Sequence, residues 1–165
     1  MTTAPDPILT SARAVLRVAR DDMRAAIDRL PTDALNWRPT PDDTNSIAVL
    51  AIHSLSSTHL WLSVAVDGPR PDRDRPSEFE FTARDSVALL ASVDETFDTC
   101  LALVDKSRTV GWSSLRAAPP SPGDAETREV FAAWALLHAL EHLREHVGQM
   151  SLTRQLWQQQ ESRRD

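Results

Sequence analysis

Apolar residues in this chain recur at three- and four-residue spacing and almost never alternate with polar ones, which is the period of a helix and not of a strand. The 4 glycines are isolated and β-branched runs are scarce, so no segment reads as a sheet strand. The expectation is an all-α protein.

Prolines and capping residues divide the pattern into four helices. The first is expected to open at Asp6-Pro7, an N-cap acid before a proline whose missing N–H is harmless at the first helical position. It should run to about Leu30, with Ile8, Ala12, Val15, Ala19, Met23, Ile27 and Leu30 on one face and Pro31 ending it. LNWRPTPDDT, residues 35–44, reads as a connection, and a second helix should span roughly Asn45 to Val66. Residues 67–81, DGPRPDRDRPSEFEF, carry three prolines, a glycine and dense charge of both signs, which predicts a loop with no regular element. Its Asp72, Arg73, Asp74, Arg75 and Glu78 read first as solvated, with a lesser reading in which a loop at the bundle mouth helps to bind a charged substrate. The third helix is expected to open at Thr82, with Asp85 at capping-box spacing, and to reach Lys106 with Val87, Leu90, Phe97, Leu101 and Val104 inward. After a connection containing Pro119, Pro120 and Pro122, the fourth should start near Glu126 and continue past Gln149.

Four such helices make a four-helix bundle the simplest architecture. Fifteen extended residues reach roughly 50 Å, more than the length of a 22-residue helix at about 33 Å. A long crossover between helices two and three, with those two helices parallel, is therefore expected.

Composition narrows the function. With 165 residues, 41 % of them hydrophobic and 25 % charged, the chain reads as a single domain over residues 1–165. A net charge of −6 and no clustered basic face exclude nucleic acid as the expected partner. One cysteine permits no internal disulfide and no cysteine-based zinc cluster. With no basic-then-apolar leader and no apolar stretch judged long enough to span a bilayer, the expectation is a cytoplasmic protein without membrane contact.

The chemistry is expected from the 5 histidines, all within helices two and four. His138, His142 and His146 step by four residues, so neighbours stand about 6 Å apart on one helical face. Either His138 with His142 or His142 with His146 can share one ion. A third ligand has to come from helix two, where His53 and His59 are about 240° apart, so at most one faces inward. His53 is surrounded by apolar residues at helical spacing and is the better candidate; His59 follows the polar run Ser56, Ser57, Thr58. Spacing alone leaves a plainer reading open, in which Glu141 pairs with Arg144 and the face is ordinary solvated helix.

The segment HALEHLREHVGQMSLTRQLW, residues 138–157, resembles the last core helix of the DinB/YfiT-like superfamily, whose His-x-x-x-His pair is followed by Gly-Gln. LNWRPTPDDTNSIAVLAIHSLSSTHLWL, residues 35–62, is similar to that family's Trp-Arg-Pro connection and the helix bearing its first metal histidine. The resemblance implies a metal site of His53, His142 and His146, with His138 beside it in a supporting role. It implies a divalent transition metal, zinc or nickel, whose open position takes the thiolate of a low-molecular-weight thiol for transfer to a small electrophilic substrate. A metal-dependent hydrolase using Glu141 or Glu145, and a non-catalytic metal-stabilised binding module, are the alternatives. Related bundles often pair through helix faces, so a homodimer is expected. Cys100 reads as a core residue, and the tryptophans at 37, 61, 112, 134 and 157 as packing anchors.

Overall fold

The computed structural model describes residues 6–107, 109–120 and 126–163. In chain order the elements are α1 (Pro7–Ile27), α2 (Thr32–Asn36), α3 (Ile47–Val66), α4 (Arg75–Phe79), α5 (Ser86–Lys106), β1 (Leu115–Ala118), β2 (Arg128–Phe131) and α6 (Ala132–Glu161). The four long helices carry the fold, and the starts of three of them follow from capping. Asp6 Oδ1 accepts from the Ile8 amide at 2.8 Å, Ser46 Oγ from Val49 at 3.2 Å and Asp85 Oδ1 from Ala88 at 2.7 Å. At the end of α3, Asp67 takes the left-handed conformation at φ 57°, and the Gly68 amide reaches back to the Ser63 carbonyl at 2.8 Å.

Side-chain pairs fix the directions. Arg13 pairs with Asp105 and Arg20 with Asp98, so α1 and α5 are antiparallel. Arg144 meets Asp22 and Arg154 meets the Asp28 carbonyl, so α1 and α6 run together. His53 lies by His142 and Trp61 by Trp134, so α3 opposes α6. Hence α3 and α5 point the same way, and residues 67–85 carry the chain back across the bundle. The core joins all four helices, with Leu16, Met23, Leu55, Leu62, Phe97, Leu143 and Met150 fully buried.

Several expectations need correction. The crossover is not free of regular structure: Asp74 caps the short helix α4, accepting from the Ser77 amide, and Pro76 sits in its first turn. Helix α5 starts at Ser86 under an Asp85 cap, not at Thr82, and its inward face is Leu89, Val93, Phe97, Cys100 and Val104. Val87 is 76 % exposed. On α1, Leu9 and Leu16 are buried where Ile8 and Val15 were expected. The segment before α6 is not helical from Glu126; β2 pairs antiparallel with β1, Leu115 opposite Phe131. Helix α6 begins at Ala132 because the carbonyls of Ser114 and Trp112 accept its first amides, at 2.9 and 3.0 Å. Pro122 lies outside the described residues. Contrary to the sequence reading, α3 is by length and composition apolar enough to cross a membrane, but 83 % of its most apolar 18-residue stretch is buried among its neighbours.

Candidate metal centre

His53 is placed by the most apolar helix of the bundle. Helix α3 is covered on nearly all sides, so an imidazole at its centre is 6 % exposed and must find polar partners inside. It faces α6, where His142 and His146 are half-buried on adjacent turns. One ring nitrogen from each of His53, His142 and His146 lies within 4.8 Å of the other two. Ring centroids are 5.1 Å apart for His53 and His142, 5.2 Å for His53 and His146, and 4.4 Å for His142 and His146.

The outward nitrogens orient the rings. His53 Nδ1 is 2.8 Å from Glu78 Oε2, an oxygen that accepts from it and leaves Nε2 with its lone pair. His146 Nδ1 donates in the same way to Gln149 Oε1 at 2.8 Å, and the Gln149 amide donates onward to Glu145 at 3.2 Å. The Nε2 atoms of His142 and His146 stand 3.2 Å apart. Burial, reinforced by the charges of His146, His53, His138 and Arg73, pushes His142 down to about 3, so its ring is neutral at ordinary pH.

Glu78 and Arg73 are functional candidates that the sequence reading placed in solvent. Glu78 is 5 % exposed and accepts two hydrogen bonds from Arg73, at 2.7 and 2.9 Å, besides the one from His53. Burial alone would raise this carboxyl, but the hydrogen bonds and charges of His53 and Arg73 outweigh it and hold it below the ordinary range. The pattern Asp74-Arg75-Pro76 repeats the cap-and-proline logic that correctly placed α1, and it was the available signal for a helix here.

A cleft of about 570 Å³ opens beside the triad, with His53 and His142 on its wall. His138 also borders it but stays outside the triad: it stacks on Trp134 at 4.8 Å and meets Trp61 edge-on at 4.9 Å. Burial lowers the His138 imidazole, Arg128 adds to this, and Glu141 opposes it only in part. His59 is half-buried and faces a separate cleft beyond Glu78. Cys100 is fully buried and its thiol is pushed up to about 12, which makes it a core residue and no nucleophile.

Known proteins match this arrangement at the level of family and fold. Several solved structures superpose on it. A conserved protein from Enterococcus faecalis matches with a TM-score of 0.71 and 15 % identity, over 93 % of this chain and 98 % of that one. A DinB-like protein from Bacillus subtilis matches with a TM-score of 0.64 and 19 % identity, over 89 % and 91 %. A variant of a mycothiol-dependent maleylpyruvate isomerase matches with a TM-score of 0.60 and 12 % identity, over 89 % of this chain and 62 % of that longer one. No curated protein sequence matches the chain. The sequence model of the DinB superfamily matches residues 16–150, from α1 into α6 and including all three histidines of the triad, and the chain therefore belongs to the DinB superfamily.

Proposed function

We propose that His53, His142 and His146 hold a divalent transition metal, zinc or nickel, and that the protein transfers a low-molecular-weight thiol to a small electrophilic substrate. The observation that carries this reading is the convergence of three imidazole nitrogens from α3 and α6 within 4.8 Å. Two nitrogens about 2.1 Å from a tetrahedral ion stand roughly 3.4 Å apart. The 3.2 Å between the Nε2 atoms of His142 and His146 fits that spacing. Three neutral donors leave the ion its full charge and an open position.

Bound there, a divalent ion supplies the positive charge that keeps a thiol ionised near neutral pH. The chain's own residues do the rest. Glu78 and Gln149 hold the His53 and His146 rings in register, and burial keeps His142 unprotonated. The cleft beside His53 and His142 is large enough for a small substrate, and the buried Trp61 gives it an apolar wall. Hydrolysis is less well served, because it needs a free carboxylate to accept a proton. Glu145 is engaged by Gln149, Glu141 lies exposed near His138, and Glu78 is committed to His53 and Arg73. That one relative by fold is named for its dependence on mycothiol agrees with this choice.

The test is cobalt substitution followed by addition of 2-mercaptoethanol, which should produce a sulfur-to-metal charge-transfer band. His53→Ala and His146→Ala should lose both metal and band, whereas His138→Ala and Cys100→Ser should keep them. An unchanged cobalt spectrum at saturating thiol overturns thiol transfer and leaves metal-dependent hydrolysis or a metal-stabilised binding module.

A further inference from the structure

The cleft beside the triad is cationic, although the whole chain carries a net charge of −6. Arg73, Arg75 and Arg128 line it, and among the described residues no carboxylate does. The charge of Arg73 is matched by Glu78 beneath it. Arg75 and Arg128 are held in another way: the Arg75 guanidinium lies 4.9 Å from the centre of the Phe79 ring, and that of Arg128 lies 5.1 Å from Trp134 and 5.8 Å from Trp61. An aromatic face orients a guanidinium without neutralising it, so both forks keep their N–H groups for a planar anion. Two segments bring them together. Arg75 comes from α4 in the crossover and Arg128 from β2, and Arg70 ties these two walls by donating to the Ala117 carbonyl. The remaining wall is apolar, formed by Leu60, Trp61, Pro119 and Pro120.

We infer that this cleft binds a small organic carboxylate with an apolar or aromatic body, its carboxylate on Arg75 and Arg128 and its body against Trp61 and the prolines, next to His53 and His142. The volume of about 570 Å³ accommodates one such molecule. The inference names the substrate class of the proposed thiol transfer and rests on that reading for the reaction, but the binding step needs only the arginines and the apolar wall. A bidentate carboxylate contact separates an acid from its amide, because the amide cannot satisfy a charged fork.

Calorimetric titration of the metal-free protein with phenylacetate and with phenylacetamide tests it. Phenylacetate should bind about tenfold more tightly than the amide or better, and Arg75→Gln and Arg128→Gln should each remove most of that difference while leaving amide binding unchanged. Zinc affinity should be the same in both variants as in the parent protein. Equal affinity for the two probes, no binding of either, or undiminished phenylacetate binding in the double variant overturns the inference. Phenylacetate that binds only after zinc is added also overturns it, since the carboxylate would then be on the ion. Failure of zinc to bind counts against the proposed metal site and leaves the arginine cleft standing.

Discussion

A carboxylate buried in a protein interior persists only when its charge is answered, and Glu78 is answered twice, by the His53 ring and by the Arg73 fork. Its consequence is for the ring: an acceptor at Nδ1 sets the tautomer and points Nε2 at His142 and His146. Glu78→Gln should therefore weaken zinc binding by about 10- to 100-fold, measured by competition against a chelating dye. Affinity equal to that of the parent protein would remove Glu78 from any part in holding the site. Spacing put His138, His142 and His146 on one helical face and His53 in an apolar stretch but left the pair open, and the family resemblance implied His142 with His146. Glu78 was not legible, because its partner is 25 residues away and its surroundings are a charged, proline-broken segment.

Between elements, the α1–α5 seam is held on its outer side by Arg20 and Arg24, which both bond Asp94, and by Arg20 with Asp98. Burial raises the Asp94 carboxyl, but hydrogen bonds from Arg24 and Arg20 and their charges outweigh it, so its folded pKa lies below the ordinary 3.8. A carboxylate depressed in the folded state adds stability that is present above its unfolded pKa and is lost as pH falls through the folded value. The gap in thermal midpoint between the parent protein and Asp94→Asn should be full at pH 6 and close as pH drops below 3.8. Added salt should narrow it at pH 6, since the pair is partly exposed. A gap independent of pH would assign the effect to packing. Helix α4 and the β1–β2 hairpin escaped the sequence reading for a related reason. Elements of 5 and 4 residues carry too few positions to show a period, and the hairpin pairs residues as far apart as Leu115 and Phe131.

For the molecule as a whole, a ligand that binds the folded chain and not the unfolded one stabilises it by mass action, about 2.7 kcal/mol at a concentration 100 times its dissociation constant. Zinc should accordingly raise the thermal midpoint, a chelator should reverse the rise, and His142→Ala should show neither effect. A zinc-induced rise that survives in His142→Ala would place the ion elsewhere. What the sequence determined by itself is periodic or local: the all-α class, four long helices, the cap at Asp6, a long crossover and the histidine row on one face of α6. These follow from spacings of a few residues, which the backbone geometry of a helix converts directly into a shared face. What only the tertiary structure decided is nonlocal. It brought the His53 ring centre to within 5.2 Å of those of His142 and His146, buried Glu78 beneath Arg73 and set Arg75 and Arg128 in the lining of one cleft. Those placements depend on how four apolar faces pack together. Packing is governed by the summed burial of residues far apart in the chain, a sum no local spacing encodes.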